Sequence, residues 1–292
     1  MDWLFLTEIL LSGLGSGALL SLTGIAFVLI YKATKVVNLA VGEMLMMGAY
    51  FFVGLFSSQV FPLWATVALA ILGGGLLGAV VERALIRPML GENPISVFMV
   101  TVGLGSILVG VVEFIWGADP IAPPNFMPTK PFFIGPAYVS PKIALSFAIA
   151  AVVIVVFLIL FRYWRGGVAL RATATDQGAA YSCGINVPRV FSLAWIAAGM
   201  AAAGAGILVG SIGGVSPTMG VFGLSVLVVV IVGGLDSIAG ALIAGLFIGA
   251  VEALAGTYLG GEYKLLITFG ILVVMLMIRP YGLFGTVEIE RL

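Results

Sequence analysis

The residues capable of chemistry are few and scattered. The chain has 13 Asp and Glu, 13 Lys and Arg, one Cys and no His. Without histidine it lacks the commonest general base and zinc ligand. Cys183 stands alone, which excludes an internal disulfide. Thiolate or carboxylate chemistry stays open, yet the sequence has no ligand cluster, no nucleophile–base spacing and no P-loop for hydrolysing ATP. The net charge is zero and no basic domain exists, which excludes nucleic acid as a partner. What stands out is acidic residues set in apolar sequence. Glu43, between Asn38-Leu-Ala-Val-Gly42 and Met44-Leu-Met-Met-Gly48, and Glu113 are the leading cases. Glu8, Glu82 and Glu252 sit nearer the ends of apolar segments. Such a carboxylate either closes a structural ion pair or helix end, or lines a gate or substrate path.

The elements that hold these groups are apolar helices. Hydrophobic residues make up 62% of the 292 and charged residues 9%, against about 25% charged in a soluble domain. Charge-free runs cover Ile9–Tyr31, Met44–Val81, Asn93–Val112, Ile143–Phe161 and Val190–Leu235. One bilayer crossing takes about 20 mostly apolar residues, so the two longest runs each suffice for two. The expected fold is all-α: a single polytopic transmembrane helical domain over 1–292 with about 8–9 spans. Nine candidates lie at about 8–30, 37–58, 62–82, 94–116, 141–161, 190–211, 219–235, 238–257 and 264–280. The seventh and eighth are short, Gly-rich and joined by Gly233-Gly234-Leu235-Asp236-Ser237, the pattern of a broken or re-entrant hairpin. Strand content is expected near zero. No cleavable signal peptide is expected, since Met1-Asp-Trp has no positive n-region.

Orientation follows the Lys and Arg count in the loops. Nine spans put Lys32, Lys35, Arg83, Arg87, Arg162, Arg165, Arg171, Arg189, Arg279 and Arg291 on one side, ten in all. Lys130, Lys142 and Lys264, three, fall on the other. The N-terminus is therefore expected outside and the C-terminus in the cytoplasm. The external loop at 117–142 carries seven prolines with Phe126, Phe132, Phe133 and Tyr138. It reads as a rigid interfacial connection or as part of a docking surface for an external partner. The cytoplasmic loop at 162–189 has a helical middle, Val168–Tyr181. Ala169, Leu170, Ala172, Ala179 and Ala180 offer small apolar contacts, and Arg171, Asp176 and Gln177 a polar face. Gly184 suits a C-cap and Pro188 a stop before the next span. The segment is either an ordinary loop helix or one that inserts into a groove on a cytoplasmic partner. Small-residue clusters such as Gly13-Leu-Gly-Ser-Gly17 and Gly245-Leu-Phe-Ile-Gly249 favour close helix packing. Gly75–Glu82 faintly echoes Gly245–Glu252, as duplicated halves of a transporter do.

Four landmarks then point the same way. Asn38-Leu-Ala-Val-Gly-Glu-Met-Leu-Met-Met-Gly-Ala-Tyr50 resembles the early signature of branched-chain amino acid ABC transporter permeases of the LivH type. Leu170–Asn186 is similar to their cytoplasmic coupling segment, Val232–Ala241 to their late Gly-rich motif and Ile278–Gly285 to their ending. Val41 stands where the family often has His, Gly178 where it has Glu, and Asp236 where it commonly has Gly. The resemblance implies a non-catalytic permease subunit of an ATP-driven importer in a bacterial or archaeal inner membrane. It would carry leucine, isoleucine, valine or a related small amino acid; the same scaffold also serves urea, short amides and other small solutes. A proton- or sodium-coupled carrier and a passive channel or structural membrane protein are the other classes. Implied partners are a second, paralogous permease, two cytoplasmic ATPases, an extracytoplasmic binding protein and the lipid bilayer. ATP and Mg would bind the ATPases, with no cofactor on this chain. Leu170, Arg171, Ala172, Asp176, Ala179, Ala180 and Gly184 would couple to the ATPase. Asn38, Gly42, Glu43, Gly48, Gly233 and Gly234 are the candidates for substrate path or gate.

Overall fold

Apolar sequence and helix punctuation together set the architecture of the computed structural model, which describes residues 3–124, 126–128 and 130–286. Helices α1 (Trp3–Thr34), α2 (Val41–Ser57), α3 (Leu63–Val81) and α4 (Pro94–Trp116) precede the proline-rich loop. Then come α5 (Pro141–Tyr163), α6 (Arg165–Thr175), α7 (Gln177–Ser182), α8 (Val187–Gly213), α9 (Phe222–Gly233), α10 (Ile238–Tyr258) and α11 (Tyr263–Ile278). A π-turn, Glu82–Ile86, extends α3, and a 3-10 turn, Pro217–Val221, leads into α9. Proline stands in the first turn of α4, α5 and α8, where its missing N–H breaks no helical bond. Pro188 thus opens α8 rather than stopping the preceding segment. Gly214, at φ +92°, ends α8 in a conformation closed to most side chains.

All nine apolar segments are helical, but the expected 8–9 full spans need correction. Among the described residues six helices are long and apolar enough to cross a membrane: Trp3–Thr34, Leu63–Met89, Pro94–Trp116, Pro141–Tyr163, Val187–Gly213 and Ile238–Tyr258. Val41–Ser57, Pro217–Gly233 and Tyr263–Ile278 fall short. At about 1.5 Å per residue, α2 measures about 26 Å, less than the roughly 30 Å hydrocarbon core. Its apolar run was long enough, but 35–40 is not helical. The seventh candidate is short as expected, whereas the eighth is the full-length α10. Strand content is not quite zero: Phe132–Ile134 pairs antiparallel with Ala137–Val139 across Gly135-Pro136. Tyr138 N–H of this hairpin donates to Glu8 of α1 at 2.8 Å. Arg291, counted among the cytoplasmic cations, lies outside the described residues, as do Met1 and Asp2.

Burial sorts the helices. The second half of α1 is enclosed on every side, from Gly17 to Ile30, the mark of a helix apolar all round at a bundle centre. On α5 only Ser146, Ala150 and Ile154 are buried, which leaves most of it for lipid. Small residues let backbones touch along three seams. A methyl carbon at Gly17 of α1 would lie 2.8 Å from the Gly245 carbonyl oxygen of α10. At Gly78 of α3 it would collide with the Trp195 carbonyl of α8, and at Gly206 of α8 with the Leu45 carbonyl of α2. Backbone cannot swing aside as a rotamer does, so Gly206→Val is expected to destabilise the folded chain by at least about 1–3 kcal/mol. Gly110→Ala, where nothing lies within 4 Å, should be neutral or slightly stabilising. Melting of the two purified variants in detergent checks this, and equal melting would refute the seam.

Candidate functional site

Glu43 lies in the first turn of α2, at a junction of irregular backbone. Buried unpaired peptide groups are costly, so a non-helical entry such as 35–40 survives only inside protein. Asn38 is fully buried, and its Oδ1 accepts the Ala40 N–H at 3.1 Å. Thr101 of α4 accepts the Leu39 N–H at 3.3 Å, and its own hydroxyl reaches the Val37 and Phe98 carbonyls at 3.4 and 2.8 Å. The hydroxyl thereby holds this stretch against α4. A cavity of about 500 Å³ borders it, lined by Val36, Val37, Leu90, Pro94, Val97 and Phe98 among others.

From the other side of the bundle comes 214–221. Ile121 and Val215 exchange backbone hydrogen bonds of 2.7 and 3.0 Å, and the 3-10 turn then brings Gly220 onto α2. Gly42 meets Gly223 so closely that an added methyl carbon at either would lie 2.8 Å from the other's Cα. The Glu43 carboxylate is wedged between Gly105 of α4 and Gly220: a methyl carbon there would lie 3.2 Å from its Cδ and 3.0 Å from its Oε1 respectively. Gly105 is the twelfth of the 23 residues of α4, so the carboxylate meets the middle of that helix. Its Oε2 is buried without a hydrogen-bond partner. An ionised oxygen left so costs several kcal/mol unless a cation or water reaches it. The arrangement suits a site that a passing positive or hydrogen-donating group visits.

Asn38, Gly42 and Glu43 therefore come together, and Gly48 abuts Ala203 of α8 further along the same helix. Gly233 and Gly234 do not join them. They end α9, where Gly233 packs on Gly240 of α10 and the C-terminal segment pairs over them through Leu283 N–H to Val232 O at 2.8 Å and Phe284 N–H to Gly233 O at 3.0 Å. Thr101, Gly105, Gly220 and Gly223 went unnoticed in the sequence. Thr101, a polar residue within the apolar 94–116 run, carried a signal; the glycines carried none. Glu113 is exposed near the end of α4, and Glu82 is buried in an ion pair with Arg87 at 2.9 Å. No group of three or more metal-ligating side chains occurs among the described residues.

The loop at 162–189 is two helices rather than one. The chain is extended at Asp176 (φ −155°, ψ 114°), whose Oδ1 accepts the Ala179 N–H at 3.0 Å and caps α7. Gly184 adopts φ +82°, its N–H donating to Tyr181 O at 2.9 Å while Ile185 N–H reaches Ala180 O at 3.0 Å. This paired closure requires the left-handed residue. Arg171 donates to the Phe161 carbonyl, and to the Arg162 carbonyl at 3.0 Å, so its cation sits at the negative end of α5. Leu170 and Ala180 are buried, Ala172 is half-buried, and Asp176, Ala179 and Gly184 are exposed. The surface α7 offers is accordingly Gln177, Gly178, Ala179, Tyr181 and Ser182, with Tyr181 72% exposed.

Comparison with known proteins gives a consistent picture. A family model described as branched-chain amino acid transport system / permease component matches residues 9–276. The high-affinity branched-chain amino acid transport system permease protein LivH of Salmonella typhimurium is 28% identical over 305 aligned positions, covering 99% of both chains. The BraD permease protein of Pseudomonas aeruginosa is 28% identical, over 97% of this chain and 96% of its own. A probable LivH of Methanocaldococcus jannaschii is 29% identical, over 91% and 89%. Among solved structures, PsaBC from Streptococcus pneumoniae in complex with Fab shares the fold at TM-score 0.50 and 13% identity, covering 96% of this chain and 94% of that one.

Proposed function

The chain belongs to the family of branched-chain amino acid transport permeases, and from that membership we propose that it forms part of the path by which an ATP-driven importer moves leucine, isoleucine, valine or a related small amino acid. The observation that carries the reading is the match over residues 9–276, which runs from α1 into α11 and includes both the Glu43 junction and the cytoplasmic loop. It is a non-catalytic subunit. ATP with Mg is bound and hydrolysed by two cytoplasmic ATPases, a second, paralogous permease completes the path, and an extracytoplasmic binding protein delivers the substrate. Closure of the ATPases displaces α6–α7, and the packed helices rearrange to open the path on alternate sides. The test is competition. Uptake of labelled leucine by cells expressing the complete system should be suppressed by excess valine and isoleucine and left alone by urea or acetamide. Suppression by urea or acetamide instead would keep the importer and reassign its cargo.

The orientation has the N-terminus outside and the 164–186 loop in the cytoplasm, in the inner membrane. Six helices cross at full length; of the three shorter ones α2 and α9 run within protein, whereas α11 is buried only at Thr268 and Leu272 and faces outward along most of its length. Support comes from the cation count and from which segments meet. On the outer side Phe5 packs on Tyr258, Glu8 holds Tyr138 and Ile121 pairs with Val215. On the inner side Arg87 reaches Pro188 and Thr286 reaches Asp236. Cys183 is exposed and is the chain's sole cysteine. A membrane-impermeant maleimide should label it in inside-out vesicles and spare it in intact cells; the opposite pattern would invert the topology.

A further inference from the structure

The inner end of α3 carries an ion pair that the transport path does not use. Glu82, 1% exposed, begins the π-turn that extends α3. Arg87 grips it with both faces of its fork, Nε to Oε1 at 2.9 Å and Nη2 to Oε2 at 3.0 Å. The same Nη2 lies 2.8 Å from Ser192 Oγ and 3.2 Å from the Pro188 carbonyl, both in the first turns of α8. Ser192 Oγ in turn lies 3.0 Å from Glu82 Oε2. Nη2 has two hydrogens for three acceptors, so the bonds to α8 can exchange while the grip on Glu82 persists. Lysine, with a point charge in place of the planar fork, cannot hold all these positions at once. The inserted residue of a π-turn is itself a frequent mark of function.

The position of this cluster gives it meaning. Pro188 follows the Gly184 closure of α7 by four residues, so a displacement of α7 is passed directly along the chain to the α8 turn that Arg87 holds. From there α8 touches α3 backbone to backbone at Gly78–Trp195 and α2 at Gly206–Leu45, on the helix that bears Glu43. We propose that Glu82, Arg87 and Ser192 form a latch that makes α3, α8 and α2 move as one body when the cytoplasmic loop is displaced, so that Arg87 is a positioning residue for coupling ATP hydrolysis to transport. The inference rests on the importer reading above.

The test uses the complete reconstituted complex and measures substrate moved per ATP hydrolysed. Arg87→Met should lower that ratio tenfold or more while basal ATP hydrolysis stays within twofold, and Arg87→Lys should restore part of it. Because Arg87→Met leaves Glu82 buried and unpaired, the double variant Glu82→Gln/Arg87→Met is decisive. It removes the stranded charge, recovers melting temperature and abundance, and should remain uncoupled. Ser192→Ala, which keeps the ion pair and loses the bridge, should show the same defect more weakly. A normal ratio in the double variant, or uptake and hydrolysis falling together in proportion to folded complex, would overturn the latch and leave a purely structural ion pair. Absence of ATP-driven uptake by the unaltered complex would instead remove the importer reading, and the latch with it.

Discussion

Ala179→Arg abolishes uptake in the expected result, while insertion and abundance stay at the level of the unaltered chain. Ala179 is exposed on α7, the short helix fixed at one end by Asp176 and at the other by Gly184. A helix so pinned is a rigid, small-faced peg, and a partner groove that fits Ala179 has no room for a guanidinium. Losing one central contact of a docking surface costs on the order of 2 kcal/mol or more, roughly thirtyfold in affinity, before steric clash is added. Tyr181, an exposed aromatic beside it, should weaken coupling when cut to Ala, since aromatic anchors carry interface energy. Ala180 is different. It is 4% exposed and faces the chain's own core, so Ala180→Arg should reduce the folded protein itself. Normal uptake by Ala179→Arg, at equal abundance, would mean that α7 does not meet the ATPase.

Glu43→Gln is the second change with a large expected effect. The substitution keeps the shape between Gly105 and Gly220 and removes the charge. If the unpartnered oxygen exists for a passing group, the variant should melt no lower than the original, since a stranded buried charge is gone. It should still lose at least about tenfold in uptake, equivalent to about 1.4 kcal/mol. Uptake and melting in parallel decide the matter. Unchanged uptake would reduce Glu43 to a packing residue. A fall in melting temperature that matches the fall in uptake would make it a structural one.

Much of the fold was legible because apolar length is a direct requirement of the bilayer. The nine apolar segments are nine helices, and α8 and α10 begin and end close to their expected bounds. What composition could not tell was where helix gives way to buried irregular chain. Val36 to Ala40 is as apolar as α2, yet Thr101, 62 residues beyond Leu39, supplies the bonds that let it stay unwound. The hairpin over 132–139 lies inside the loop read as a rigid connection, whose seven prolines drew attention away from its short strand pattern. Pro136 sits in the turn, and the alternating aromatic and β-branched residues around it are strand sequence. Glu43 was legible as a carboxylate out of place, but Gly105 and Gly220 were not, because the contact that defines them is made across the bundle. Gly233 and Gly234, grouped with Glu43 by motif, serve the far end of α9. The echo between Gly75–Glu82 and Gly245–Glu252 falls on two helices that each use glycine to approach a neighbour, α3 on α8 and α10 on α1. Their carboxylates diverge: Glu82 holds Arg87, and Glu252 accepts from Thr268 at 3.0 Å.

Uptake into sealed vesicles holding the permease pair, the ATPases and the loaded binding protein tests the central claim most directly, with ATP supplied on the face that bears the 164–186 loop. Labelled leucine and valine should enter only when ATP is present and only when the ATPases are included. Entry of either amino acid through this chain without ATPase or ATP would contradict the account.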